Sequence, residues 1–395
     1  IRDSFYSERR LNWETNTYEK TLFVISSNGG EARPFVRKDG GENFRVSPDG
    51  LFLSMLREVD DQPQIFLMSL TGGEARQLSN HHGEIKDYRW AGDGKSIVFV
   101  ADEAMSDAEK MEFELGMDPI YVNEGPNGKN HGRWTHLWRI EVDSGKEQQV
   151  TTGELLIDGF DVSPDGSRVV FTARPDDRGN FPFLSELYVV GTDGGDQKRL
   201  THNRDLETDP LWSPDGQTFV YHAASGTTFD LRNGYLWILN PDSGQQKKFE
   251  SHHTGDIDHL VWGHDGKSLL FNEVHGTNTN LYRLHIDEDR LETLTERRGT
   301  YRAIAYSRDR EKVAFTFSDV VTPTDLYTST LGGSGSTRLT RANDWIEREI
   351  ILPTCRVLEW RSSDGTPIEG IFMLPADFRE GAKVPLILQV LSLIH

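Results

Sequence analysis

Several features are scarce in this sequence, and each scarcity removes a class of function. The 395 residues include one cysteine, Cys355. A single cysteine excludes an internal disulfide and a cysteine-rich metal site. No apolar run approaches the roughly 18 residues that span a bilayer, so we expect a soluble segment. Lys and Arg number 43 against 63 Asp and Glu, and the formal charge of −20 argues against nucleic acid or an anionic membrane surface as a partner.

Motifs of metal and hydrolytic chemistry are also missing. The histidines include two adjacent pairs, His81-His82 and His252-His253, but no His-Glu-x-x-His spacing. Neighbours in an extended strand point to opposite faces, so such a pair does not converge on one metal. No Gly-x-Ser-x-Gly elbow occurs, and the nearest stretch, 332–336, is interpreted as a hairpin loop. We therefore assign no catalytic, metal-binding or cofactor-binding residue and expect no cofactor.

The sequence does contain one turn many times over. Its strongest copy lies in 211–221, where apolar residues lead into Ser213-Pro214-Asp215-Gly216 and a β-branched and aromatic run follows. Proline fixes φ at the turn and glycine accepts positive φ, so the pattern predicts a strand, a tight turn and a second strand. The turn aspartates of the six copies are Asp49, Asp93, Asp165, Asp215, Asp265 and Asp309.

The spacing of these copies predicts an all-β fold, a seven-bladed β-propeller. The aspartates lie 44, 72, 50, 50 and 44 residues apart, and a period in the forties fits a four-stranded blade. The pentapeptide Gly29–Arg33 repeats Gly72–Arg76 residue for residue, so one further blade precedes the first turn. We predict that the propeller covers residues 1–342, that its first blade is incomplete, and that residues 1–20 form a polar loop.

Repetition also identifies residues that serve the scaffold. Asp tolerates turn dihedrals and its carboxylate accepts nearby backbone N–H groups, which explains the recurring aspartates. Three tryptophans that precede turns, Trp90, Trp212 and Trp262, are predicted to be core residues between blades. The sequences 94–96 and 266–268 resemble the Gly-Lys-Ser end of a phosphate loop, but both lack its earlier glycine and lie at hairpin turns. We interpret them as turn residues.

The spacing of 72 residues locates an insertion at 101–135. Its first part, Asp102–Leu115, is rich in Ala, Glu, Met and Lys and predicts a short helix, whereas 123–133 is polar and glycine-rich. Long insertions between strands are often functional loops, and a solvated excursion without a function fits the sequence equally well.

The repeat stops after Thr340, and a second kind of structure follows. Residues 343–353 form a connector, and Val357–Trp360 with Ile368–Leu374 predict a hairpin. The run Val384–Val390 is continuously apolar, which is typical of a strand buried on both faces of an α/β sheet. We predict that 343–395 is a connector and the start of a second, truncated domain.

This ending carries a family resemblance. The stretch Glu359–Gly370, followed by Met373–Pro375 and Val384–Val390, resembles the entry into the α/β-hydrolase domain of the prolyl oligopeptidase family. The similarity is greatest to acylaminoacyl-peptidase and dipeptidyl-peptidase-like members. The insertion resembles the same group at Met117–Val122 and His136–Trp138.

The resemblance implies a serine peptidase that releases short N-terminal units or acylated residues from peptides through an acyl-enzyme, without a metal or organic cofactor. The propeller would gate access of peptide substrates, with the insertion 101–135 at the entrance. In the family a His-Gly-Gly-Pro segment follows the apolar strand and the triad comes later. Here the foreign-looking residues Leu391–His395 follow instead. The triad and oxyanion motif are thus absent, and the fragment is expected to be inactive.

A second function class stays open. The Ser-Pro-Asp-Gly repeats also resemble those of TolB, so the alternative is a non-enzymatic propeller that acts as a protein-binding platform. The run Val384–Val390 discriminates between them, because a binding propeller needs no buried strand after its last blade. The sequence leaves substrate preference, oligomeric state and compartment, cytoplasmic or exported, undetermined.

Overall fold

The chain forms seven β-sheets arranged as a propeller, followed by a separate two-stranded hairpin. The computed structural model describes residues 3–36, 40–116, 133–175, 182–225, 234–251, 257–295, 297–331 and 335–389. In sheets 2 to 7 four strands follow one another in chain order, and each is antiparallel to the next. We name them A to D, from the inner strand to the outer one.

The strands have the following bounds. Sheet 1 contains β1 (Asp3–Asn12), β2 (Thr17–Ser26) and β3 (Arg33–Val36). Sheet 2 contains β4 (Glu42–Val46), β5 (Phe52–Val59), β6 (Gln62–Ser69) and β7 (Arg76–Gln77). Sheet 3 contains β8 (Ile85–Trp90), β9 (Ser96–Asp102), β10 (Thr135–Glu141) and β11 (Glu147–Gln149). Sheet 4 contains β12 (Leu156–Val162), β13 (Arg168–Arg174), β14 (Glu186–Gly191) and β15 (Lys198–Arg199).

The remaining elements complete the chain. Sheet 5 contains β16 (Asp205–Trp212), β17 (Phe219–Ser225), β18 (Tyr235–Leu239) and β19 (Gln246–Lys248). Sheet 6 contains β20 (Ile257–Trp262), β21 (Ser268–His275), β22 (Asn278–His285) and β23 (Arg290–Thr293). Sheet 7 contains β24 (Thr300–Tyr306), β25 (Lys312–Ser318), β26 (Asp325–Thr330) and β27 (Thr337–Arg338). The hairpin is β28 (Thr354–Arg361) with β29 (Pro367–Leu374), and the helices are α1 (Asp107–Glu114) and α2 (Asp344–Glu349), with a 3-10 turn at Pro182–Leu184.

Sheet 1 has three strands, as expected for an incomplete first blade, but the loop predicted for residues 1–20 is wrong. Strand β1 pairs with β2 along its whole length, from Asp3 opposite Ser26 to Asn12 opposite Thr17. Phe5 packs in a cluster shared with sheet 2, and Tyr6 packs in one shared with sheet 7. Phe5 and Tyr6 thus pack on opposite faces of β1, and β2 supplies its backbone hydrogen bonds. Together these contacts hold a largely polar segment as a strand.

The A-to-B turns form a ring at one end of the propeller. A Cβ added to Gly216 would lie 3.5 Å from Pro164, the proline of the preceding turn, and Gly266 stands in the same relation to Pro214 at 3.8 Å. The ring closes where the last turn meets sheet 2, because Arg308 donates to the carbonyl of Pro48 at 2.8 Å. No described sheet combines strands from both ends of the chain. Side-chain contacts therefore close the ring.

The repeated turn has the scaffold role predicted for it. Ser213 donates its hydroxyl to Asp215 at 2.6 Å, and Asp215 in turn accepts the backbone N–H of Gln217 at 3.0 Å. The hydroxyl donation and that N–H hold the pKa of Asp215 below its ordinary value. The same Ser-to-Asp bond recurs at Ser163–Asp165 and Ser307–Asp309.

The outer strands carry a second repeated device, which the sequence pattern did not reveal. The backbone N–H of Leu137 at the start of strand C donates to the hydroxyl of Thr151, just after strand D, at 2.8 Å. The bond recurs between Ile65 and Ser79, Leu187 and Thr201, Leu281 and Thr295, and Leu326 and Thr340. In these five sheets it fixes the end of the short outer strand, where the backbone ladder alone has few bonds.

The core lies mainly between adjacent sheets, and the predicted role of the tryptophans is confirmed. Trp212 and Trp262 are 4% and 6% exposed and belong to separate interblade clusters. Trp90 donates its indole N–H to Ser54 of the preceding sheet at 2.8 Å. Each tryptophan on an inner strand thus binds its own sheet to the one before it.

Beyond the propeller, the predicted hairpin is confirmed, and the predicted strand at 384–389 is not formed in this chain. The predicted hairpin is present as β28 and β29, which pair from Thr354 with Leu374 to Arg361 with Pro367. Residues 384–389 form no strand, and Leu386, Ile387 and Leu388 are 79–89% exposed. A strand buried on both faces needs neighbours on each side, and no described strand pairs with this run. Among the described residues no helix is long and apolar enough to cross a membrane.

Candidate functional site

The antiparallel order of each blade gives the propeller two distinct faces. A-to-B and C-to-D turns lie at one end of the strands, so the B-to-C and D-to-A connections lie at the other. The insertion is a B-to-C connection, because strand B of sheet 3 ends at Asp102 and strand C begins at Thr135. The next two blades also have long B-to-C connections, at 175–185 and 226–234. We call this side the insertion face.

The stem of the insertion is closed by one glutamate. The backbone N–H of Glu103 donates to the carbonyl of Trp134 at 2.8 Å, and its carboxylate accepts the N–H of Trp134 at 3.2 Å. The second carboxylate oxygen lies 3.1 Å from Nε2 of His136, which is 5% exposed. These three contacts fix where the two ends of the insertion leave the sheet.

The predicted helix of the insertion is present as α1, and its start has a local cause. Ser106 and Glu109 form a capping box: the carboxylate accepts the backbone N–H of Ser106 at 2.7 Å, while the hydroxyl accepts the N–H of Glu109 at 3.3 Å. The Ser106 hydroxyl, which also donates to the carboxylate, and the backbone N–H of Ser106 lower the pKa of Glu109. The Ser-x-x-Glu spacing was visible in the sequence as a signal for this start. The resemblance at Met117–Val122 lies outside the described residues.

Two buried carboxylates lie at the insertion face between sheets 4 and 5. Glu186 begins β14 and Glu207 lies in the first half of β16, and they are 3% and 1% exposed. Asn203 connects them, since its backbone N–H donates to Glu186 at 3.0 Å and its amide to Glu207 at 2.8 Å. Burial, assisted by the charge of Glu186, raises the pKa of Glu207 to about 7. Glu207 therefore changes charge near neutral pH without contacting solvent.

A charged network joins the inner strands of sheets 2 to 4. Asp87 accepts hydrogen bonds from Arg45 at 3.0 Å and from Asn43 at 2.7 Å, and it also pairs with Arg89. Burial alone would raise the pKa of Asp87, but the two guanidinium groups outweigh it and the pKa is lowered. In sheet 4, burial raises the pKa of Asp161 to about 6. The charge of Arg89 acts in the opposite sense on Asp161, which links the inner strand of sheet 3 to that of sheet 4.

The hairpin is attached to the insertion face by Glu369. Its carboxylate accepts the backbone N–H of Thr277 at 3.0 Å and the hydroxyl of the same residue at 3.1 Å. Thr277 lies in the two-residue B-to-C turn of sheet 6, between β21 and β22. The segment after the propeller thus contacts the same face that carries the insertion.

We expect Glu369→Ala to release this attachment. The backbone N–H of Thr277 would lose its acceptor, so its amide hydrogen should exchange about tenfold faster or more, measured by hydrogen–deuterium exchange with mass spectrometry. Glu359→Ala is the matched control, because Glu359 lies opposite Glu369 in the same hairpin. Equal protection of Thr277 in both variants would contradict the attachment.

The remaining sequence candidates are accounted for as follows. His81 pairs with Glu147 at 2.8 Å and stacks edge-on against Trp138, so it is a structural residue, while His252 and His253 lie outside the described residues. Both Gly-Lys-Ser stretches lie at A-to-B turns, and most of 332–336 is not described. Among the residues that the structure describes, no three His, Cys, Asp or Glu side chains could hold a metal ion. No catalytic constellation was predicted in this chain.

The chain is a seven-bladed propeller with long connections on its insertion face. Several known proteins are similar to it. The family model "Dipeptidyl peptidase IV (DPP IV) N-terminal region" matches residues 120–228. The "Uncharacterized peptidase YuxL" of Bacillus subtilis is 24% identical over 98% of this chain and 62% of its own length. Dipeptidyl-peptidase 5 of Porphyromonas endodontalis is 21% identical over 97% of this chain and 58% of its own.

A solved structure agrees with these relatives. Acylaminoacyl peptidase of Pyrococcus horikoshii superposes with a TM-score of 0.73 at 16% identity, over 98% of this chain and 58% of that one. The chain spans about three fifths of the length of the proteins it matches. These similarities confirm the resemblance drawn from the sequence: along nearly its whole length the chain resembles the propeller portion of prolyl oligopeptidase-family peptidases.

Proposed function

We propose that this chain is the propeller portion of a serine peptidase that releases short N-terminal units or acylated residues from peptides. Residues 343–395 are then the connector and the opening of its α/β-hydrolase domain. The observation that carries the proposal is the similarity to peptidases over 97–98% of the chain, including the hairpin that follows the last blade. The catalytic residues lie outside this chain, and the fragment is inactive by itself.

The uncovered apolar surface of the hairpin supports a further domain. Trp360, Ile371 and Met373 are 49–55% exposed, and Leu386 to Leu388 are more exposed still. Trp360 pairs with Ile368 and therefore lies on the other face of the hairpin from Ile371 and Met373, so large apolar side chains are exposed on both faces. A hydrolase sheet that continues from β29 would cover these side chains and would supply the neighbours that 384–389 lacks.

The position of the hairpin supports a gating role for the propeller. Glu369 holds the hairpin against the B-to-C turn of sheet 6, on the insertion face. A domain that begins there would cover this face, and the insertion stem at Glu103 would lie near its edge. Peptides would then reach the hydrolase past the insertion, and this restricted access would select short substrates.

The test compares this chain with the longer product of its gene. We expect the longer protein to cleave acylaminoacyl or dipeptidyl p-nitroanilides and to react with a fluorophosphonate probe, and we expect residues 1–395 to do neither. Cleavage by residues 1–395 would place the chemistry in the propeller and contradict the proposal. A stop codon directly after Val390 would instead support the TolB-like binding platform.

A further inference from the structure

A groove of about 510 Å³ lies between the first two sheets of the propeller. It opens on the face opposite the insertion, beside the C-to-D turn of sheet 2. Its lining includes Phe5, Val24, Phe35, Met68 and Leu70, with Arg33 as its single cation and no carboxylate. The volume falls in the range of about 300–1,000 Å³ found for small-ligand sites.

In four later sheets, 2 to 5, a side chain from the start of strand D bridges this position. Arg76, the first residue of strand D in sheet 2, donates to the carbonyl of Val142 in sheet 3 at 2.9 Å. The residues in the same register of the next three sheets make the same brace to the following sheet. They are Gln148 to the carbonyl of Asp193, Lys198 to that of Pro241, and Lys247 to that of Ile286. Each brace closes the outer gap between two blades.

Arg33 is the counterpart of Arg76 in sheet 1, yet it makes no such brace. It ends an identical pentapeptide, and it pairs with Val24 as Arg76 pairs with Leu67. Within the part of the chain that the structure describes, its guanidinium forms no hydrogen bond or ion pair. The carbonyl equivalent to that of Val142 belongs to Leu70, which lines the groove together with Arg33. At the interface of sheets 1 and 2, the guanidinium of Arg33 therefore has no protein partner among the described residues and lies beside an open groove.

The chemistry of the groove selects its ligand. Phe35 and Phe5 meet edge to face at 5.1 Å and, with Met68, form an apolar wall. Arg33 supplies planar donors that match a carboxylate. Added Cβ atoms on Gly72 and Gly73 would meet nothing within 4 Å, so the rim is open where a longer chain must leave.

We propose that this groove binds the C-terminal residue of a peptide, with an apolar side chain against Phe35 and Met68 and the α-carboxylate on Arg33. The site is separate from the insertion face and requires no catalysis. Absence of binding at this groove would therefore leave the proposed peptidase function unaffected, and absence of peptidase activity would leave this site unaffected.

Calorimetric titration of residues 1–395 with the peptide Ala-Ala-Phe tests the site. We expect saturable one-to-one binding, and about tenfold weaker binding of Ala-Ala-Phe amide, which lacks the carboxylate. Arg33→Gln should weaken binding of the free acid by a similar factor and leave binding of the amide unchanged. Thr71→Trp, which fills the groove from its exposed rim, should abolish binding of both.

Arg76→Gln is the matched control, because it alters the same pentapeptide sequence at an arginine that does not line the groove and bonds instead to the carbonyl of Val142. It should leave the affinity for Ala-Ala-Phe within about twofold. Equal affinity for acid and amide, or equal weakening by Arg33→Gln and Arg76→Gln, would overturn the proposal. Binding of 3-phenylpropionate as tight as that of the peptide would also overturn it, since the groove would then recognise a small acid. Circular dichroism confirms that each variant is folded.

Discussion

Replacing Trp212 by alanine should lower the free energy of unfolding by about 3–5 kcal/mol. The indole is 4% exposed and lies between sheets 4 and 5, with the ring of Phe219 at 5.7 Å and the guanidinium of Arg168 at 4.9 Å above it. Truncation removes these contacts and leaves a cavity that the strands on both sides cannot fill. Urea unfolding followed by circular dichroism measures the loss.

Two further variants separate packing from other effects of this change. Trp212→Phe should cost much less than Trp212→Ala, because it keeps an aromatic ring and removes an indole N–H that is buried without a hydrogen-bond partner. Trp13→Ala, at a residue that is 84% exposed, should change the unfolding free energy by less than about 0.5 kcal/mol. A loss at Trp13 as large as that at Trp212 would show that interblade packing is not the cause.

Replacing Glu207 by glutamine should stabilise the protein at pH 8 and have little effect at pH 4. The pKa of Glu207 is raised from 4.5 to about 7 in the folded state, mainly by burial. The folded state therefore binds the proton more tightly than the unfolded chain does. Its ionisation costs nothing below pH 4.5, grows as the pH rises to 7, and reaches a limit of roughly 3 kcal/mol above that.

Unfolding free energies of both proteins between pH 4 and 9 test this prediction. The difference between Glu207→Gln and the unaltered chain should increase with pH and level off above pH 7. Glu74→Gln, in an exposed turn, controls for the removal of one charge from a chain of net charge −20. A difference that is constant with pH would show that Glu207 does not titrate on unfolding.

The sequence predicted those elements whose cause is local. The turn at Ser213–Gly216 follows from its own proline and glycine, and counting its copies yielded the blades and the insertion. The interblade tryptophans followed from the same repeat. The hairpin predicted from Val357–Trp360 and Ile368–Leu374 is present as well, because its turn and its alternating residues are contained in one short segment.

The predictions failed where the conformation of a segment depends on a strand or sheet that is distant in the sequence. Strand β1 was predicted as a loop because its sequence is polar, and it is a strand because β2 pairs with all of it. The run at 384–389 was predicted as a buried strand because it is apolar, and without neighbouring strands it is extended and exposed. Glu186 and Glu207 gave no sequence signal, since they lie 21 positions apart and meet only where sheets 4 and 5 adjoin.

The repeated pentapeptide shows, within five residues, which features depend on local sequence and which depend on tertiary contacts. Gly29–Arg33 and Gly72–Arg76 are identical in sequence and form the same turn, with positive φ at both glycines of each copy. The sequence by itself determined that turn, because φ depends on a residue and its immediate neighbours. Only the tertiary structure decided what each arginine does, because a brace requires a carbonyl of the next sheet within reach. Arg76 has one, and Arg33 instead faces a groove.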